Sequence, residues 1–174
     1  MKKLSICLTL GLIIALSGFA LLSKTQDSTY TEYLRIHIRA DSNEEKAQAV
    51  KYKVKDAVVL YLTPFIAECD TKSKAESAIK SRLSEIASVA DKVLCEQGFT
   101  YKSRAKINTE KFPTRNYGQY TLEQGYYDAL IIELGSGKGD NWWCVVYPPL
   151  CFTGDGAHYV YKSKILEIVR KFFG

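Results

Sequence analysis

Apolar residues change their period at Gly98, from helical spacing before it to strict alternation after it. A chain that carries both periods folds as α+β, with helices segregated onto a sheet. Before Gly98, Ala47, Val50, Val54, Ala57, Val58, Tyr61, Leu62 and Phe65 fall three and four residues apart. Ile79, Leu83, Ile86, Ala90, Val93 and Leu94 form a second stripe of the same kind. Ser42 with Glu45, and Ser73 with Glu76, have the spacing of capping boxes. Pro64 ends or kinks the first helix and Gly98 stops the second, making a hairpin that turns near Cys69.

The alternating segments supply the sheet. Tyr33 to Arg39 sets Leu34, Ile36 and Ile38 against Arg35, His37 and Arg39, the pattern of a half-buried strand with His37 in solvent. Phe99, Tyr101, Ala105 and Ile107 alternate with Lys102, Arg104 and Lys106. Tyr126 to Leu134 and Trp142 to Tyr147 are β-prone and read as a hairpin across Gly135-Ser136-Gly137-Lys138-Gly139-Asp140-Asn141, while 112–118 reads as a loop. Twelve tyrosines suit such a half-buried sheet. Ile165, Leu166, Val169, Phe172 and Phe173 line a short final helix. The expectation is a two-layer α+β domain over residues 33–174, after a polar linker at 24–32. Its mostly antiparallel sheet packs against a long helical hairpin, with a short C-terminal helix.

Met1-Lys2-Lys3 is followed by an uncharged apolar run from Leu4 to Leu22. As a helix the run is about 28 Å long, near the thickness of a bilayer core. Residues 1–23 are read as a signal peptide, cleaved after Ala20, or as a retained N-terminal anchor; in both cases the rest of the chain is exported. Export makes Cys69, Cys95, Cys144 and Cys151 an even set outside the reducing cytosol. Cys144 and Cys151 flank a Pro-Pro turn and form the leading bridge. Cys69 and Cys95 lie at opposite ends of one helix, roughly 30 Å apart, beyond the reach of a disulfide.

Composition narrows the chemistry. With Lys2 and Lys3 set aside, the net charge of +5 shrinks to an excess of three, weak for nucleic acid. Two histidines and no Cys-x-x-Cys give no metal site. The loop GSGKGD has Ile132 where a phosphate loop needs glycine and Gly139 where it needs Ser or Thr. His158 lies in a Gly-rich loop without a nucleophile, so no catalytic set emerges and no cofactor is expected. Trp142 and Trp143 point to opposite faces of one strand, so one faces the core and the other away, where an indole is a partner-binding anchor. Phe112 and Arg115 in the neighbouring loop join it as partner-binding candidates. Lys162, Lys164, Arg170 and Lys171 make the last helix basic, suited to an anionic membrane surface or, more simply, docked on the sheet.

Three stretches resemble one family: IRADSNEEKAQAVKYKVKDAV (38–58), FPTRNYG (112–118) and GYYDALIIELGSGKGDNWWCVVYPPLCF (125–152). They look like stage II sporulation protein R, over about residues 33–152. The resemblance implies a signalling protein of endospore-forming bacteria, made in the forespore and exported into the space between the two cells. There it activates the membrane-embedded aspartyl protease of the mother cell that processes pro-sigma-E. It implies no catalytic residues. An exported cell-wall hydrolase and a membrane-tethered structural protein of the septum are the competing classes.

Overall fold

The computed structural model describes residues 32–118, 120–152 and 159–173, with side chains of the last segment from residue 164 onward. Strand β1 (Leu34–Arg39) is followed by helices α1 (Glu45–Ile66), α2 (Lys72–Lys80) and α3 (Leu83–Glu96). Then come β2 (Ser103–Phe112), the short strands β3 (Arg115–Tyr117) and β4 (Tyr120–Leu122), β5 (Gly125–Leu134) and β6 (Asn141–Tyr147). A 3-10 turn at Leu150–Phe152 precedes helix α4 (Tyr159–Phe173). The four long strands form one sheet in the order β2-β5-β1-β6, and β3 pairs with β4 in a separate ribbon. β1 runs parallel to β5 and antiparallel to β6, and β5 is antiparallel to β2. The fold is α+β, with a mixed, mostly antiparallel sheet against a helical hairpin and a short C-terminal helix. Among the described residues, no helix is long and apolar enough to cross a membrane.

The helix-facing side of the sheet follows the alternation. Leu34, Ile36, Ile38, Leu130, Ile132, Leu134, Cys144 and Val146 meet Val50, Val54, Val58 and Leu62 of α1, and Ile79, Ile86 and Leu94 of the second arm. That arm is broken at Ser81–Arg82, where the Arg82 guanidinium lies 4.0 Å over the Phe65 ring. Neither capping box forms as spaced. Thr71, not Ser73, caps α2 by accepting from Lys74 N at 3.2 Å. Glu44 occupies the cap of α1 without a side-chain bond, and Pro64 sits inside the last turn of that helix.

Two further expectations are corrected. β5 and β6 are not a hairpin, because β1 inserts between them. The Gly-rich loop joining them crosses the end of β1 and is fastened to the β1–α1 turn. Ser136 N donates to Asp41 Oδ1 at 2.6 Å, Gly139 N to Ala40 O at 2.8 Å and Asp140 N to Asn43 Oδ1 at 2.6 Å. The buried Lys51 donates to Asp140 O at 3.1 Å, and burial depresses its pKa. Asp41 and Asn43 thus clamp the loop, and the helix start keeps a 3.4 Å contact from Glu44 N to Ser42 Oγ and a 2.9 Å bond from Gln48 Nε2 to Ser42 O. Nor is β1 half-buried. It is a central strand, and Arg35 and His37 are 0% and 2% exposed. Its second face is covered by a partial third layer: Leu122 and Tyr117 of the ribbon, Leu150, and Val169 and Phe173 of α4.

Candidate functional site

Cross-strand register sorts the second face into rows. Arg39 lies beside Glu133 and Asn141, His37 beside Ile131 and Trp143, and Arg35 beside Ala129 and Val145. The middle row is aromatic. Trp143 stacks on the His37 ring with centroids 3.7 Å apart and planes 21° from parallel. Phe112 meets the edge of both, 4.7 Å from Trp143 and 5.8 Å from His37.

Above it the polar groups interlock. His37 Nδ1 and Glu110 Oε2 are 3.1 Å apart, Arg39 Nη2 donates to the same oxygen at 2.7 Å, and Arg39 Nη1 donates to Glu133 Oε1 at 3.0 Å. Burial lowers the His37 pKa below its ordinary 6.5. The hydrogen bond to Glu110 opposes the shift, as do the nearby Asn141 side chain and the Glu110 charge, while the Arg39 charge adds to it. The ring is therefore neutral at pH 7, and a neutral ring facing a carboxylate oxygen carries its hydrogen on Nδ1. Nε2 is left as an acceptor, and it has no hydrogen-bond partner.

This arrangement has a pH signature. The unfolded chain takes a proton on His37 near 6.5 and the folded chain takes it only at lower pH. Below 6.5 the unfolded state therefore binds more protons, and stability falls as pH falls; above it the group contributes no slope. Thermal unfolding followed from pH 7 to 5 is expected to show this decline, and His37→Gln to remove its histidine component.

Arg35 occupies the row beneath, wholly buried among rings. Its guanidinium carbon is 4.4 Å from the Phe112 centroid, 4.8 Å from Tyr127 and 5.7 Å from Tyr117. Nη2 donates to the Tyr117 hydroxyl and Nε to Cys144 O at 3.5 Å, while Nη1 has no partner. Burial pushes the Tyr117 phenol far up, so it stays neutral and accepts from the guanidinium. Cation–π contacts take the place of a carboxylate here.

Where the ribbon stops, the second face opens into a cavity of about 450 Å³. His37, Arg39, Glu110 and Trp143 form its base, and the exposed Lys111, Lys138 and Asn141 its edge. Among the described residues no cluster of His, Cys, Asp and Glu is set to hold a metal ion. Residues 30–156, which include every residue lining this cavity, match the family model for stage II sporulation protein R (spore_II_R). The chain belongs to the stage II sporulation protein R family. It is 32% identical over 159 residues to stage II sporulation protein R of Bacillus subtilis (strain 168), covering 87% of this chain and 71% of that protein. No solved structure matches it.

In this spore_II_R domain the four residues singled out from the sequence separate. Trp143 is at the cavity, half-buried. Phe112 has no exposed surface, so it supports Trp143 and Arg35 from within instead of meeting a partner. Trp142 points to the other face, packs on the helix-side core and has Lys55 Nζ 5.8 Å from its ring. Arg115 is exposed on β3 and does not line the cavity. His37, Arg39, Glu110 and Lys138 were not among them. The signal was three basic residues on one face of a strand whose other face is wholly apolar, but placing that strand at the sheet centre needs long-range pairing. His158 and residues 1–31 lie outside the described residues.

Among the described residues Cys69, Cys95, Cys144 and Cys151 are unbridged. Cys151 Sγ donates to Val145 O at 2.7 Å and Cys144 Sγ lies 4.0 Å from the same oxygen, which brings the two side by side. Burial raises the Cys151 pKa well above its ordinary value, and raises that of Cys69 too. Cys95 is exposed. Alkylation of the reduced native protein followed by peptide mapping is expected to label Cys95 first and the other three only on denaturation. No Cys69–Cys95 peptide should appear after oxidation.

Proposed function

We propose that this stage II sporulation protein R family member is an exported signal of endospore formation and not an enzyme. It is made in the forespore and passes into the intermembrane space. There it activates the mother cell's membrane-embedded aspartyl protease, which processes pro-sigma-E. The observation that carries the reading is the family match, whose span takes in the whole Trp143–His37 face. The Lys2-Lys3 start and the apolar run from Leu4 to Leu22 support export. An activator must bind one state of its target better than another, which favours a surface held in one arrangement. Glu110, Arg39 and Glu133 fix the face from one side and Phe112 from beneath.

In an oxidising compartment the neighbouring Cys144 and Cys151 close into a disulfide. A loop this short should add about 2–3 kcal/mol by the chain-entropy relation. Unfolding with and without reductant reads that difference.

The test is co-expression of this chain, the protease and pro-sigma-E in a non-sporulating bacterium, with and without residues 1–23. The shorter sigma product is expected only with the exported version. Equal processing by both versions, or none from parts shown to be made, overturns the reading.

A second reading, an exported cell-wall hydrolase, draws on the His37–Glu110 pair at the cavity. It predicts that the purified chain releases soluble fragments from peptidoglycan and that His37→Asn stops the release.

A further inference from the structure

We propose that the cavity beside Trp143 is a receptor for an acidic peptide segment and, resting on the activator reading, that this segment belongs to the protease the chain activates. Charge points to the ligand class. Lys111 and Lys138 stand at the cavity edge with no ion-pair partner among the described residues. The Arg39 guanidinium at the base is already divided between Glu110 and Glu133. Two exposed ammonium groups without counter-ions, beside a base whose own charges are paired, form a cationic rim complementary to carboxylates.

A second, independent observation says that more than an anion is wanted. His37 is 2% exposed and lines the cavity, its Nδ1 is committed to Glu110, and its Nε2 has no partner. Buried acceptors in folded proteins are normally satisfied, so this atom marks a place where a donor is missing. A peptide N–H supplies that donor while its acidic side chains reach the lysines. The half-buried Trp143 offers such a segment an aromatic platform held rigid by the His37 stack and the Phe112 edge. About 450 Å³ lies within the range of sites that hold a small ligand or a short stretch of peptide.

The test uses the full chain in detergent micelles. Because the protein has two tryptophans, Trp142→Phe leaves Trp143 as the only indole. An acetylated, amidated glutamate-rich pentapeptide is titrated while Trp143 emission is followed. Its glutamine counterpart and inorganic phosphate at matched ionic strength serve as comparisons. A saturable change with the glutamate peptide alone, weakened at least tenfold by Lys111→Glu with Lys138→Glu, is expected. Equal response to the glutamine peptide or to phosphate, or a response untouched by the double charge reversal, overturns the receptor.

The partner is tested separately by co-expression. The double reversal should reduce pro-sigma-E processing, whereas Lys92→Glu on the far side of α3 should not. Undiminished processing by a double variant that no longer binds peptide overturns the assignment of the segment to the protease while leaving the activator reading intact. Absence of processing by the unaltered chain removes both that reading and the partner, and the peptide titration still decides on the receptor.

Discussion

Replacing Phe112 by alanine should lower stability by about 3–5 kcal/mol, a large share of what a domain of this size possesses. The ring has no exposed surface and touches four others that cannot close over the gap. These are the guanidinium of Arg35, the His37 imidazole, the Trp143 indole and the Tyr127 ring, 5.7 Å away. Tyr127 is held by its hydroxyl on Glu123 O, His37 by Glu110 and Arg35 by Tyr117 and Cys144 O, so collapse into the gap is resisted and the penalty falls high in the range. Phe112→Leu keeps most of the volume and should cost far less. Urea unfolding measures both. A loss below about 1 kcal/mol for alanine would mean that the aromatic row does not depend on its centre.

Gly139→Ala is the second large effect, expected at about 1–3 kcal/mol and at the upper end of that range. A Cβ at this position would stand 2.3 Å from Ser42 O and 2.5 Å from Ser42 C, both backbone atoms. Neither side can give easily. The hydrogen bonds from Gly139 N to Ala40 O and from Asp140 N to Asn43 Oδ1 hold the loop against this same turn. Because Gly137, Lys138 and Gly139 form one wall of the cavity, the substitution should also change Trp143 emission in the folded state. A midpoint shift worth less than about 0.5 kcal/mol, with unchanged emission, would show that the loop yields and that the close approach carries no constraint.

Much of the helical layer is legible in the sequence because its cause is local. The stripe from Ala47 to Phe65 depends only on residues three and four apart, and Ala47, Val50, Val54, Val58 and Leu62 of it are buried in α1, with Ala57, Tyr61 and Phe65 half-buried beside them. Elements that depend on distant partners are harder to read. Arg35 and His37 carry the polar signature of an exposed strand face, yet are buried by rings from β2, β3, β5 and β6. No window around β1 contains those rings. The β5–β6 hairpin fails for the same reason, since β1 inserts from far upstream in the chain. At the start of α1, Ser42 and Glu45 have the right spacing for a capping box. Their neighbours Asp41 and Asn43 are instead taken up by the Gly-rich loop, a demand that appears only once the loop is seen crossing β1. That Trp142 and Trp143 part to opposite faces is read from sequence alone, because adjacent residues on one strand must do so; which of them stands at the cavity is decided by the strand pairing.

The central position of β1 also dictates an order of assembly. Leu34 pairs with Asp128 on one side and Tyr147 on the other, so the first strand of the domain has no neighbour until the chain has been delivered nearly to its end. Until then the helical hairpin has no sheet to cover, and its apolar face gains little by collapsing alone. Contacts between such distant residues slow the closure of a fold. On the export route proposed above, that delay keeps the chain an open thread while any part is still in transit, and the sheet, with the cavity on its second face, closes only after β5 and β6 have emerged.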